Sequence, residues 1–334
     1  VKASSTALLP RDPREALALA REGTLPCERL AGDASDRTFW RIRFAGEART
    51  AILVRGAEFP FVETARLLRG AGVPAPEIHA EDPVCGLVVE EDFGDTLLEE
   101  AATGQPREVP SRYRALVDLL HAMQARFPRR SEAEAAPLAL RRAFDAATFE
   151  RELRIFEEHL WKGHLGARPT EEETCAFRAH ARRLAETVAA LPPRFAHRDF
   201  HARNILVRPD GSFGIVDFQD ARFGPPHYDL ASLLFDGYVR LEPDLVEELF
   251  QRFEEASPSF PDPPSARAAF ELTAAQRVLK ALGSFGYLAR IKGKTRFLDY
   301  VPKALEDAVC LLGCRRELAP LHAILAAGHA AFAG

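Results

Sequence analysis

HRDFHARNILVRPDGSFGIVD, residues 197–217, is the stretch from which the rest of the chain is read. Asp199 is followed by four residues and then Asn204, the D-x-x-x-x-N spacing of a phosphoryl-transfer loop with its His-Arg-Asp opening complete. Ile205-Leu206-Val207 is short, apolar and β-branched at both ends, Pro209-Asp210-Gly211 is turn chemistry, and Phe213 to Phe218 is a second apolar run. The two runs are expected to pair as a hairpin. Asp199 and Asn204 then precede its first strand and Asp217 ends its second, so all three could meet at one end. That grouping suits phosphoryl transfer, which asks the protein for positioning and charge neutralisation more than for covalent chemistry. Asp199 is the candidate acceptor of a hydroxyl proton. Asn204 and Asp217 are candidate hard-oxygen ligands for Mg2+ bridging the phosphates of ATP.

Two other readings compete for the same residues. Asp and Asn beside a Pro-Asp-Gly turn are common turn formers, and only the conjunction of HRD, a correctly spaced Asn and a strand-ending Asp speaks for chemistry. His197, Asp199 and His201 also form H-x-D-x-H, a pattern of hydrolase metal ligands, which leaves Asn204 and Asp217 without a role.

At 334 residues the chain exceeds a single core of ordinary size, so a two-lobed or two-domain protein is expected. Its 47% hydrophobic and 28% charged residues are those of a folded globular chain. A net charge of −5 argues against nucleic acid as the principal partner, because binding phosphates requires a basic face. No apolar run reaches the ~18 residues of a membrane span, and VKASSTALLPRDPREALALA lacks a continuous signal-type core. The expectation is a cytoplasmic, monomeric protein that does not engage a membrane. Five cysteines without metal-finger spacing fit reduced thiols, and Cys310 and Cys314, on an expected helix, are read as core packing.

Asp12 to Glu22 reads as a helix ending at Gly23, and Cys27 to Phe44 as two strands around the loop Gly32-Asp33-Ala34-Ser35-Asp36-Arg37. Such a loop can cover ATP phosphates with the backbone N–H groups of Gly32 and Asp33 and the Ser35 hydroxyl. An ordinary β-turn remains open, since its aspartates would have to point away from an anion. Thr50 to Arg55 is a strand, and Pro60 to Gly70 a helix carrying Glu63. Phosphoryl-transfer folds of this type place a lysine on that strand, paired with a helix glutamate. Here no lysine is available. Arg55 is the candidate substitute and Glu63 its candidate partner, against plainer readings as a solvated strand end and an exposed helix residue.

Gly86 to Glu90 reads as a buried strand running into Glu91-Asp92-Phe93-Gly94-Asp95, so Glu90, Glu91 and Asp92 fall where a hinge would read adenine through backbone groups. The lobe boundary is expected there: residues 1–91 as N-lobe, and residues 92–334 as C-lobe with the catalytic loop 197–204. Ser111 to Phe127 is helical, with Tyr113, Leu116, Leu120 and Met123 on one face, and further amphipathic helices are expected over 131–190. After Asp217, Pro225-Pro226 forces an extended turn, and a helix begins near Asp229, whose carboxylate can cap it. The short loop between Asp217 and that helix leaves no room for a long activation segment, so small substrates are expected.

The ordered set GDASDRTFWRI, EEDFGD, HRDFHARNILV, GIVDFQDARFGPPHYDLASLL and QRVLKALGSFGYLARIKGKTRFLDYVPKAL resembles the aminoglycoside phosphotransferase-like family. Within that family it is similar to the bacterial anomeric kinases of N-acetylmuramate and N-acetylglucosamine in cell-wall recycling. The resemblance implies an α+β, bilobal, protein-kinase-like fold with a small β-rich N-lobe and a larger, mainly helical C-lobe. It implies ATP and Mg2+ as cofactors, Asp199 as base, Asn204 and Asp217 as metal ligands, Asp229 as a brace of the catalytic loop, and tolerance of the absent strand lysine. His201, Arg203, Gln219, Asp220, Asp229, Arg277 and Lys280 are the candidate substrate-binding residues. Gln276, Arg277, Lys280, Lys292, Lys294 and Arg296 make a basic region suited to the lactyl carboxylate of a muramate. Two alternatives stay open. A kinase of another small alcohol, such as an aminoglycoside, choline or homoserine, would for a cationic substrate call for an acidic or aromatic pocket. A non-catalytic nucleotide-binding scaffold would have no need of Asp199, Asn204 and Asp217 together.

Overall fold

Asp12 accepts hydrogen bonds from the backbone N–H groups of Arg14 at 2.8 Å and Glu15 at 2.9 Å, and Gly23 closes the same helix at φ 74°. These caps fix α1 (Pro13–Glu22) at both ends. The computed structural model to which they belong describes residues 9–30, 37–57, 59–256 and 258–332. The expected phosphate-loop residues Gly32, Asp33 and Ser35 lie outside them.

The described chain divides into two compact units, and the first comprises residues up to Thr96 together with Pro137–Ala139 and Ile205–Asp220. The units are therefore not two consecutive segments, as a single boundary near residue 92 would make them. The first unit holds β1 (Cys27–Arg29), β2 (Thr38–Arg43), β3 (Thr50–Arg55), α2 (Phe59–Gly70), β4 (Ile78–Asp82) and β5 (Leu87–Glu91). The strands form an antiparallel sheet of order β1-β2-β3-β5-β4, in which Thr38 faces Arg55, Leu53 faces Val89 and Ile52 faces Glu90. Side chains alternate across a strand, so Ala51 and Leu53 share one face and Ile52 and Val54 the other. The first face packs with Ile42, Leu87 and Val89 against Ala16, Leu17 and Ala20 of α1. Fully burying Leu53 or Val89 contributes about 1.5–3 kcal/mol each.

The second unit is mostly helical. It contains α3 (Leu98–Gly104), α4 (Val109–Arg126), α5 (Leu138–Arg141, of which its last residues belong here), α6 (Ala146–Ile155) and α7 (Glu171–Ala189). Tyr113, Leu116, Leu120 and Met123 of α4 are all buried on one face. After β6 (Arg194–Ala196) the chain enters the catalytic-loop segment, and at Ile205 it returns to the first unit. There β7 (Ile205–Val207) and β8 (Phe213–Ile215) form the expected hairpin, Ile205 opposite Ile215, turned at Gly211 with φ 82°. Val207 donates to the Thr96 carbonyl and Ile215 to the Pro74 carbonyl, each at 2.8 Å. Gly214 lets the Phe93 ring lie against the backbone, where a Cβ would collide with it. The second strand stops short of Phe218, because Asp217 adopts φ 64° and breaks the extended run.

β9 (Arg222–Gly224) pairs with β6, and α8 (Tyr228–Leu234), α9 (Pro243–Ala256), α10 (Pro263–Arg290), α11 (Val301–Gly313) and α12 (Ala319–Gly328) complete the second unit. The 28-residue α10 is its central helix. Gly283 and Gly286 admit the backbone of Phe156 and His159, where a Cβ would lie at 2.6 Å from Phe156 N and from His159 O. Cys310 and Cys314 are exposed, contrary to the expected core packing. The buried stripe of α11 runs through Val301, Ala304, Ala308, Leu311 and Leu312, and a residue two positions beyond Ala308 falls off it. No helix among the described residues is long and apolar enough to cross a membrane.

Candidate active site

In the second unit the loop after β6 is wound by its own hydrogen bonds. His201 N donates to the Asp199 carbonyl at 3.1 Å, Asn204 N to the His201 carbonyl at 2.9 Å, and the Asn204 amide nitrogen to the Asp199 carbonyl at 2.8 Å. Arg198 turns the chain at φ 86°. Asp229, fully buried in the first turn of α8, holds that turn by accepting from His197 N at 2.6 Å and Arg198 N at 2.9 Å. It does not cap its helix, and it is not placed to touch a substrate: both oxygens serve the loop. Burial pushes its carboxyl up to about 7 in spite of the two N–H donors. Asp236 acts in the same way further along, accepting from Ala202 N at 2.9 Å and Val239 N at 2.9 Å. The sequence reading missed it, and an Asp-Gly directly after an expected helix was the available signal.

Asp199 is the focus of this half. Lys280, reaching from α10, donates to Asp199 Oδ1 at 2.7 Å. Burial alone would raise the Asp199 carboxyl, but Lys280, then Arg198 and Arg277, outweigh it and hold it well below the usual carboxylate range. His201 is pushed down to about 3, chiefly by burial and further by Arg277 and Lys280, so its ring is neutral near pH 7. Arg277 is buried, donates from Nε to Ser232 Oγ at 2.6 Å and stands 5.2 Å over the Tyr228 ring. Its Nη1 has no hydrogen-bond partner among the described residues. A cavity of about 60 Å3 opens here, lined among others by His201, Ser232, Tyr238, Arg277, Lys280 and Ser284. That is room for a few waters or one small charged arm of a ligand. Arg203 instead bridges Glu99 Oε2 at 3.1 Å and the Tyr300 hydroxyl at 2.9 Å.

In the first unit Asp217 follows β8. Its Oδ1 accepts from Arg37 Nη2 at 2.8 Å and from Gln219 Nε2 at 2.9 Å, while Arg37 Nη1 donates to Gln219 Oε1 at 2.9 Å. Asp220 lies half-buried in the turn that follows. Arg55 is not the phosphate cation its position in the chain suggested. Strand alternation puts it on the α1 face with Ala51 and Leu53, and its Nη2 donates to the Ala20 carbonyl at 3.1 Å. Glu63 accordingly lacks that partner; its Oε2 accepts from Leu138 N at 2.8 Å, and it forms no ion pair among the described residues.

At the end of β5, Glu91 binds Arg208 Nη2 at 2.5 Å and Arg69 Nη1 at 3.0 Å, and Asp92 binds Arg41 Nε at 2.6 Å and Thr50 Oγ1 at 2.7 Å. Both side chains lock the strand end. Glu90 is buried with Oε2 unpartnered among the described residues, and burial pushes its carboxyl up to about 8.

Among the described residues no group of three or more His, Cys, Asp or Glu side chains could hold a metal ion, so the H-x-D-x-H hydrolase reading finds no centre. Mg2+ makes a lesser demand, since it keeps several waters and takes one or two protein oxygens beside substrate phosphates. Asn204 and Asp217 fit that demand chemically. The amide nitrogen of Asn204 is anchored on the Asp199 carbonyl, and Asp217 is an oxygen donor following β8 with its side chain 40% exposed.

Residues 26–269 match the profile of the phosphotransferase enzyme family. An N-acetylmuramate/N-acetylglucosamine kinase of Pseudomonas aeruginosa is 30% identical to the chain over 91% of it and 90% of the relative. Among solved structures, a choline kinase from Streptococcus pneumoniae aligns with a TM-score of 0.58 at 16% identity, over 90% of this chain and 98% of that one. An ADP-bound aminoglycoside phosphotransferase, APH(2'')-Ib, aligns at 0.55 and 13% identity, over 88% and 97%. These likenesses show the fold: α+β, with an antiparallel sheet toward the N-terminus and a mainly helical remainder, as in protein-kinase-like phosphotransferases.

Proposed function

The chain belongs to the phosphotransferase enzyme family, and from that premise we propose that it is an ATP-dependent kinase of the anomeric hydroxyl of N-acetylmuramate and N-acetylglucosamine. The observation that carries the choice of hydroxyl is the 2.7 Å ion pair between Lys280 and Asp199. A carboxylate held so strongly ionised has little proton affinity, and a hemiacetal hydroxyl is more acidic than a primary alcohol. Asp199 orients that hydroxyl and accepts its proton as the phosphoryl group leaves ATP. Asn204 and Asp217 would hold Mg2+, which when bound neutralises phosphate charge. Asp229 and Asp236 keep the loop in shape through its backbone N–H groups, so that Asp199 spends no energy on reorganisation.

Arg277 and Lys280 are the recognition groups for the lactyl carboxylate of the muramate, for which the Arg277 Nη1 donor and the small cavity beside it are suited. The same two cations disfavour choline or an aminoglycoside, although a choline kinase shares the fold. The reading places the protein in the cytoplasm, where ATP is supplied. The test is ATP consumption with Mg2+ against a panel of N-acetylglucosamine, N-acetylmuramate, choline, homoserine and kanamycin. Turnover of both amino sugars is expected. Turnover of choline or kanamycin alone would overturn the assignment.

A further inference from the structure

The strand lysine that usually neutralises ATP phosphates is missing from this protein, and so is every other lysine between Lys2 and Lys162. Among the described residues of the first unit, the permanently charged cations are all arginines. Within the first unit, Arg41 is committed to Asp92 and Asp95, Arg69 and Arg208 to Glu91, Arg66 to Glu81 and Arg55 to the Ala20 carbonyl. Arg37 is ion-paired as well, but to Asp217, the candidate metal ligand itself: its fork spans Asp217 Oδ1 and Gln219 Oε1.

Its place in the fold is also the right one. Arg37 precedes β2, and the register sets its neighbour Thr38 opposite Arg55, at the end of β3. It packs against Gly56, the residue that follows that strand, where a Cβ would lie 3.8 Å from Arg37 Cγ. The cation is thus displaced one strand from the expected position while remaining beside the end of β3. The Phe61 ring, 5.3 Å from the guanidinium carbon, supports it, and its side chain is 13% exposed. A guanidinium presents paired N–H donors that match phosphate oxygens.

We propose that Arg37 is the phosphate-binding cation of this protein, taking from the position just before β2 the role a lysine on β3 would otherwise fill, and that Asp217 and Gln219 hold it ready. The inference rests on the kinase reading and on Asp217 as a metal ligand. It predicts an effect confined to the phosphate end of the nucleotide. Titration calorimetry with Mg-ADP, Mg-ATP and adenosine would be compared for the wild type, Arg37→Met, Arg37→Lys and Arg55→Met. Arg37→Met should weaken Mg-ADP and Mg-ATP roughly 10- to 100-fold, the cost of a lost charged hydrogen bond, with adenosine unchanged within about twofold. Arg37→Lys should recover part of the loss, and Arg55→Met should bind as the wild type does. Unchanged Mg-ADP binding by Arg37→Met would overturn the proposal, and so would an equal loss of adenosine, which marks a role in shape alone. Failure of the wild type to bind ADP would instead remove the kinase reading, and this inference with it.

Discussion

Replacing Lys280 by Met removes the cation that sits 2.7 Å from Asp199 Oδ1 while keeping a side chain of similar length. Burial opposes ionisation of Asp199, and Lys280 is the largest of the charges that overcome it, ahead of Arg198 and Arg277. A carboxylate gains about one to three pH units of acidity from one such neighbour, and each unit corresponds to about 1.4 kcal/mol. Loss of Lys280 should therefore raise the acid limb of kcat/KM by about one to three units, bringing it from strongly acidic pH into the range where the enzyme can be assayed. N-acetylglucosamine is the substrate to use, since it has no lactyl carboxylate and separates the effect on Asp199 from any lost contact to the sugar. The measurement is a pH–rate profile for both proteins at fixed Mg-ATP. Coincident acid limbs would refute the reasoning, because they would mean that Lys280 does not set the ionisation of Asp199.

Asp199→Asn keeps the shape of the side chain but cannot take a proton, so kcat should fall roughly 10²- to 10⁴-fold with nearly unchanged ATP affinity; a change in KM alone would make Asp199 a substrate binder. Asp217→Ala should abolish turnover and make ATP binding insensitive to added Mg2+ in calorimetry, whereas wild-type activity would exclude it as a metal ligand. Glu90 has its carboxyl raised to about 8 by burial, so it binds a proton in the folded state that the unfolded chain releases at lower pH. The wild type should lose stability as pH rises from the ordinary carboxylate range through about 8, and Glu90→Gln should lose less, keeping only the contributions of other raised carboxyls such as Asp229. In urea unfolding the variant should match the wild type near pH 5 and exceed it by on the order of 2–4 kcal/mol near pH 8; a difference independent of pH would count against it.

The stretch from His197 to Asp217 was legible because its signals are local. Turn residues at Pro209-Asp210-Gly211 set the hairpin, and Asp12 and Gly23 likewise announce both ends of α1. What escaped depends on contacts distant in sequence. The ion pair of Lys280 with Asp199 spans 81 residues and the fork of Arg37 on Asp217 spans 180, and no periodicity encodes either. Asp229 could have been either a helix cap or a brace from its position alone, and the backbone of the loop at His197 decides it. Arg55 is a different case, for strand parity with Ala51 and Leu53 already pointed it toward α1. There the position along the chain and the face of the strand point to different roles, and the face decides. Cys310 falls in the same class, lying off a stripe that Ala304, Ala308 and Leu311 define.

The central claim, transfer to the anomeric oxygen assisted by a weakly basic Asp199, is tested most directly with two altered sugars. Purified protein with Mg-ATP would be offered the 1,5-anhydro and the 6-deoxy forms of N-acetylglucosamine, with product formation followed by phosphorus NMR. The 6-deoxy sugar should yield an acid-labile 1-phosphate, and the 1,5-anhydro sugar, which has no anomeric hydroxyl, should remain unphosphorylated. Phosphorylation of the anhydro sugar with the 6-deoxy sugar inert would place the reaction at the primary alcohol and contradict the account.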